Sequence, residues 1–254
     1  MASTDFTEIA NSESFGNINR GVSSALTPPP GGGAFVYGFN SASPVVGSVA
    51  YYSNQPNFVP VAKGGSISAC LRRGAGTAKT GFSPFIFIGL QDAPSPSVLT
   101  SSAYILGLSD GDPYYITLVK GVIGVGVPDV VAPNPTVNGV LSRSTLPYTH
   151  TSQDRVAGPA TAGLWHHLRL DMIVNTGDVL LKVFENDLTA NPIGTTPVWT
   201  TPPGFAAGGF IDDALTIATG TLPFTSGFMG YGFESDASNR LSYIDQWAAA
   251  RQTP

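Results

Sequence analysis

The 254-residue chain is 42% hydrophobic but only 11% charged, with a net charge of −5, about half the charged share of an average soluble protein. Its 12 Lys and Arg are scattered, with Arg72-Arg73 the only adjacent basic pair, which excludes the basic stripe that nucleic-acid binding needs. The 30 Gly and 21 Pro punctuate short apolar runs, and no window sustains a 3.6-residue period, so many short strands and little helix are expected.

In chain order, residues 1–33 are polar apart from Phe6, Ile9, Phe15 and Ile18, and close in Pro28-Pro29-Pro30-Gly31-Gly32-Gly33. Polyproline stiffens a backbone and triglycine releases it. Two readings stand: a frayed terminus on a linker, or an extended N-terminal arm whose four apolar side chains anchor on a neighbouring subunit. The domain proper is then residues 34–254. The opening residues lack the basic and apolar regions of an export signal, and no apolar run reaches the ~18 residues of a membrane span. Synthesis in the cytoplasm and no membrane partner are expected.

Strand signals begin at Phe35-Val36-Tyr37-Gly38-Phe39 and continue through Val45 to Tyr52 and Ser66 to Leu71. Phe82 to Leu90 is nearly continuously apolar, which predicts a central strand buried on both faces. Tyr104 to Leu108 and Tyr114 to Val119 flank an Asp-Gly and Pro reversal and predict a hairpin. Residues 121–163 read as long loops with one weak strand near Val137 to Arg143. From Leu164 to Val174 the even positions are Leu164, His166, Leu168, Leu170, Met172 and Val174, while His167, Arg169 and Asp171 fall on the other, wet face. Asn175-Thr176-Gly177 turns the chain, and Val179, Leu181 and Val183 share a face with Glu185 and Asp187 on the return. Met229, Tyr231 and Phe233 alternate with Gly230, Gly232 and Glu234, and Leu241 to Trp247 closes the series. Ten to fourteen such strands without crossover helices predict an all-β, two-sheet antiparallel sandwich.

Candidate chemistry is sparse. Cys70 is the single cysteine, so no internal disulfide forms. Glu185-Asn186-Asp187 begins the Glu-x-Asp-x-x-Glu pattern of sandwich glycosidases, but Ala190 stands where the last carboxylate belongs, and two solvated acids at a strand end are the simpler account. His166 reads as a hydrogen-bonded core histidine and His167 as outward-facing; with His150 they show no zinc spacing. No catalytic residue, cofactor or metal site is assigned, although Asp110-Gly111-Asp112 and Asp212-Asp213 offer oxygen ligands suited to calcium. Glycan binding needs an exposed aromatic beside polar groups, and Trp199 and Tyr148 are the candidates, while Trp165 and Trp247 read as core.

The segment Gly163-Leu164-Trp165-His166-His167-Leu168-Arg169, the hairpin after it, Gly227 to Phe233, and Tyr243-Ile244-Asp245 together resemble laminin-G-like and concanavalin-like jelly rolls over residues 160–248. There a G-x-W-x-x-L-R strand, a G-x-x-G-x-x-F strand and a closing Y-x-D strand recur in that order. The whole chain also resembles structural proteins of tailed bacteriophages, through Gly21 to Ala25, Gly81 to Phe85 and Phe184 to Leu188. That resemblance implies a non-enzymatic virion protein, a capsid decoration or tail component. It would be made in the host cytoplasm and bind major capsid or tail subunits as a homo-oligomer. The alternative is a carbohydrate-binding module, or phage adhesin, recognising a host surface glycan.

Overall fold

The alternation that begins at Leu164 becomes the middle of a sheet. The computed structural model describes residues 6–9, 18–23, 28–33, 36–41, 47–53, 64–73, 82–90, 102–109, 115–122, 139–143, 165–213, 222–235 and 241–251. Among the described residues there are fifteen strands and no helix, hence no helix long and apolar enough to cross a membrane. They are β1 (Phe6–Ile9), β2 (Ile18–Ser23), β3 (Val36–Ser41), β4 (Gly47–Ser53), β5 (Gly64–Arg73), β6 (Phe82–Leu90), β7 (Ser102–Ser109) and β8 (Tyr115–Val122). The second half supplies β9 (Gly139–Arg143), β10 (His166–Val174), β11 (Val179–Asn186), β12 (Trp199–Thr200), β13 (Phe210–Asp212), β14 (Phe228–Ser235) and β15 (Leu241–Arg251).

One sheet runs β1-β4-β14-β6-β7-β8-β9 and the other β12-β11-β10-β5-β15-β3-β2, with β13 also on β11. The ladders are antiparallel, and the expected two-sheet sandwich is what forms. Long-range connectivity follows, since β15 returns from the C-terminus to lie between β5 and β3. The even residues of β10 and the odd residues of β11 point between the sheets, where Leu168, Leu170, Met172, Val179 and Leu181 meet Ile86, Ile88 and Leu106. Burying each such side chain is worth roughly 1.5–3 kcal/mol. β6 lies fourth of seven, and Phe85, Phe87, Ile86 and Ile88 are all wholly buried, so it is covered on both faces as expected. The hairpin turn also forms as read: Asn175 N–H donates to Asp178 C=O at 3.0 Å, and Gly177 takes a φ of 91°.

Polar groups enter this core where β7, β8 and β13 meet. Tyr104 and Lys120 are opposed on β7 and β8 and both reach Asp212 on β13, which belongs to the other sheet. Lys120 Nζ lies 2.7 Å from Asp212 Oδ2, and the Tyr104 hydroxyl donates to the same oxygen at 2.5 Å. Lys120 donates further to the Leu222 carbonyl at 3.0 Å and sits 4.7 Å from the Phe224 ring centroid. The Phe224 N–H donates to the Tyr104 oxygen at 2.9 Å. Burial, then Asp212, push the Tyr104 phenol far above its usual range.

The N-terminal segment differs from its reading as an arm. Phe6 and Ile9 bound β1, which pairs with β4, and Ile18 opens β2, which pairs with β3. Both are edge strands of this chain's own sheets, held by backbone hydrogen bonds that need no apolar alternation, which is why a polar sequence concealed them. Phe15 lies outside the described residues. The Pro-Gly run is a turn in which Gly32 N–H donates to Pro29 C=O at 2.7 Å and Gly31 has φ 79°. Pro followed by Gly at the two central positions is the type II pattern.

Candidate functional site

On the outward face of the second sheet, register sets one residue from each strand in a transverse row: Trp199 on β12, Asn186 on β11, His167 on β10, Cys70 on β5 and Asp245 on β15. This face was read as wet. It is instead roofed, because residues 187–198 fold back over it, and His167 is only 6% exposed. Between roof and sheet lies a cavity of about 240 Å³. Ser68, His167, Asn186, Gln246 and Ala248 form its base, and Pro192 to Thr195, Pro197 and Trp199 its walls.

Three local devices build it. The first is the turn after β11, where Asp187 Oδ1 accepts from Thr189 N–H at 2.8 Å and Asn191 N–H donates to Asp187 C=O at 2.7 Å. The second is the Pro29–Gly32 turn, whose Pro30 carbonyl accepts the Ile193 N–H at 2.8 Å and so buttresses the cavity wall from outside. A Cβ on Gly31 would stand 2.2 Å from the Ile193 oxygen. Gly31→Ala should therefore lower stability by about 1–3 kcal/mol in chemical denaturation. Gly33→Ala, with nothing within 4 Å of its Cβ, should leave the midpoint unchanged.

The third device is a β-bulge. Asp245 pairs with Cys70 and Ala248 with Ser68, so β15 carries one more residue than β5 between those pairs. Gln246 takes φ 53°, the left-handed region a side chain enters at a cost. It lines the cavity, while Trp247 packs against the core on the other side.

Hydrogen bonds fix the polar groups. Asn186 Oδ1 accepts from Val198 N–H at 2.9 Å, and Asn186 Nδ2 donates to the Asn191 carbonyl at 3.0 Å and approaches His167 Nδ1 at 3.3 Å. The Trp199 ring meets His167 edge-on at 4.7 Å. Arg169 lies 5.7 Å from the Trp199 centroid and 5.5 Å from that of Phe184. Its Nε and second guanidinium N–H each donate to Asp171 at 2.6 Å. Burial lowers the His167 pKa to about 4, leaving the ring neutral at pH 7. Burial also raises the Asp245 carboxyl, and burial followed by Asp245 raises the Cys70 thiol.

Of the sequence candidates, Trp199 lines this cavity, while Tyr148 lies outside the described residues, as do Asp110 and Asp112. Asp212 does not face solvent as a calcium ligand would, because Lys120 and Tyr104 take up its carboxylate inside the core. Among the described residues no three His, Cys, Asp or Glu gather to hold a metal. Glu185 points inward and pairs with His166 Nδ1 at 2.7 Å, and Asp187 caps its own turn, so the two acids do not act together on one site. His166 is the bonded core histidine expected. His167, Asn186 and Gln246 are the site residues that sequence reading missed.

No family model matches the chain, and no curated protein does. Solved structures that resemble it do so at low identity. A carbohydrate esterase from the Shiga toxin-encoding bacteriophage phi24B is 12% identical, with 98% of this chain and 91% of that one covered and a TM-score of 0.47. The carbohydrate recognition domain of Emp46p in its metal-free form is 13% identical over 97% and 88%, with a TM-score of 0.45. A legume lectin-like domain from Entamoeba histolytica is 10% identical over 97% and 90%, with a TM-score of 0.42. At these values none of them carries an argument about ligand or activity.

Proposed function

We propose that the chain is a non-catalytic carbohydrate-recognition module whose sugar docks in the cavity beside Trp199. The observation that carries this reading is the composition of that cavity. One half-buried indole stands beside a neutral imidazole, two side-chain amides and two hydroxyls, on a rigid sheet face. A sugar ring presents an apolar C–H face and a rim of hydroxyls, which an aromatic platform with a few fixed polar groups complements. This reading ranks above that of a virion scaffold because residues 6–9 and 18–23, the segment expected to reach a neighbour, pair within this chain. On a virion, the location that the phage resemblance implies, the module would serve as an adhesin, and labelled antibody on purified particles would locate it.

A glycan array followed by calorimetry on the best binder tests the proposal. Trp199→Ala should weaken binding by about tenfold or more, from the loss of aromatic contact and of the His167 packing. Binding that survives this substitution, or no glycan bound by the folded chain, would sink it.

A further inference from the structure

We infer that Asn186 and His167 form a positioning pair that holds one uncharged donor, the His167 Nε2–H, to the cavity, and that the ligand so selected is an uncharged sugar residue rather than a sugar acid. The inference rests on the carbohydrate reading and adds to it the group that discriminates.

The pair works through the Asn186 amide, whose orientation is fixed at both ends. The oxygen is held by Val198 N–H at 2.9 Å and the nitrogen by the Asn191 carbonyl at 3.0 Å. The remaining N–H is thereby aimed at His167 Nδ1, 3.3 Å away. A ring nitrogen that accepts a hydrogen bond carries no proton, so the proton of the neutral ring sits on Nε2. The Trp199 edge at 4.7 Å packs the ring in this orientation. Both N–H donors of Asn186 are therefore taken up, and its donor reaches the ligand through the histidine.

Charge then decides the ligand. Ser68, Thr195 and Gln246, the other polar side chains of the cavity, are uncharged. The cation beside it, Arg169, is held by two 2.6 Å bonds to Asp171 and lies against the Trp199 and Phe184 rings. A carboxylate or sulfate entering the cavity would lose its water and find that cation already neutralised, whereas a hydroxyl or amide oxygen is satisfied by a single N–H. Gln246 adds an adaptable second contact, because its Nε2 lies 3.5 Å from Asp245 Oδ1, beyond the usual N–H···O range. At about 240 Å³ the cavity falls below the roughly 300–1,000 Å³ of pockets for drug-sized ligands, so one ring enters and the rest of a glycan stays outside.

Two measurements on the folded full-length chain test this. Long-range imidazole ¹H–¹⁵N spectra should show the Nε2–H tautomer of His167, and Asn186→Asp should move that ring to the Nδ1–H or doubly protonated form. Free neutral monosaccharides should compete for the array-selected glycan at least about tenfold better than uronic and sialic acids, since each acid leaves an unpaired charge behind. His167→Gln, which keeps an N–H donor, should retain binding, whereas His167→Phe should lose it. An Nδ1–H tautomer in the wild type overturns the pair, and acids competing as well as neutral sugars overturns the selection. If no saccharide binds at all, the carbohydrate reading falls and the ligand half of the inference with it, while the tautomer spectrum still decides the pair. Should His167→Phe fail to fold, His167→Gln and the wild-type spectrum carry the test.

Discussion

Replacing Lys120 with methionine should cost about 3–5 kcal/mol of folding stability, read from urea or guanidinium midpoints at pH 7. Lys120 and Asp212 have side chains only 3% and 0% exposed, and their contact ties the β7–β8 hairpin of one sheet to β13 of the other. Removing the ammonium leaves a carboxylate in the core without its cation, and the penalty is mainly the desolvation of that charge rather than the lost contact. One further result follows. Adding Asp212→Asn to Lys120→Met should recover at least half of the loss, since a neutral amide can still accept from the Tyr104 hydroxyl. A single-variant loss below about 1 kcal/mol would show that the pair contributes no more than an exposed one.

Acidification itself should weaken the wild type through His167. Burial lowers this histidine from 6.5 to about 4 in the folded state. Between those values the unfolded chain binds a proton that the folded chain refuses, so stability falls as pH drops from about 6.5 and levels off near pH 4. The full shift corresponds to about 3 kcal/mol as an upper figure. Asp245 works in the opposite sense, since its raised carboxyl takes up a proton more readily when folded and favours the folded state as pH falls. Comparing wild type with His167→Gln cancels Asp245, which both retain. The stability lost between pH 7 and pH 4 should be smaller in the variant by most of the His167 contribution. Parallel curves for the two proteins would mean that the imidazole is hydrated and titrates normally.

Much of the sandwich was legible because burial on one side of a strand writes itself as alternation. Leu168, Leu170 and Met172 mark the inner face of β10, and the apolar run from Phe82 marks a strand covered twice. Trp199 was legible as a candidate aromatic contact, and it lines the cavity. The edges were not: β1 and β2 lack apolar alternation and are paired through the backbone, and β12 and β13 are two and three residues long. The partnership of His167 with Asn186 is a matter of register. The Asn175–Asp178 turn sets Val174 opposite Val179, and counting back along both strands brings His167 opposite Asn186, so the signal was present in the hairpin. What no pattern could supply was the roof. Its position depends on Pro30 meeting Ile193, a contact between segments more than 160 residues apart in the chain.

The bulge in β15 makes Gln246 a supernumerary residue. Were it struck from the chain, Asp245, Trp247 and Ala248 would fall opposite Cys70, Ala69 and Ser68 in strict alternation, the indole still directed inward beside Ala69. Gln246 thus lines the cavity from a position that the ladder itself does not need, and its deletion is expected to keep the sandwich, read as an unchanged far-ultraviolet dichroism spectrum, while reshaping the cavity floor.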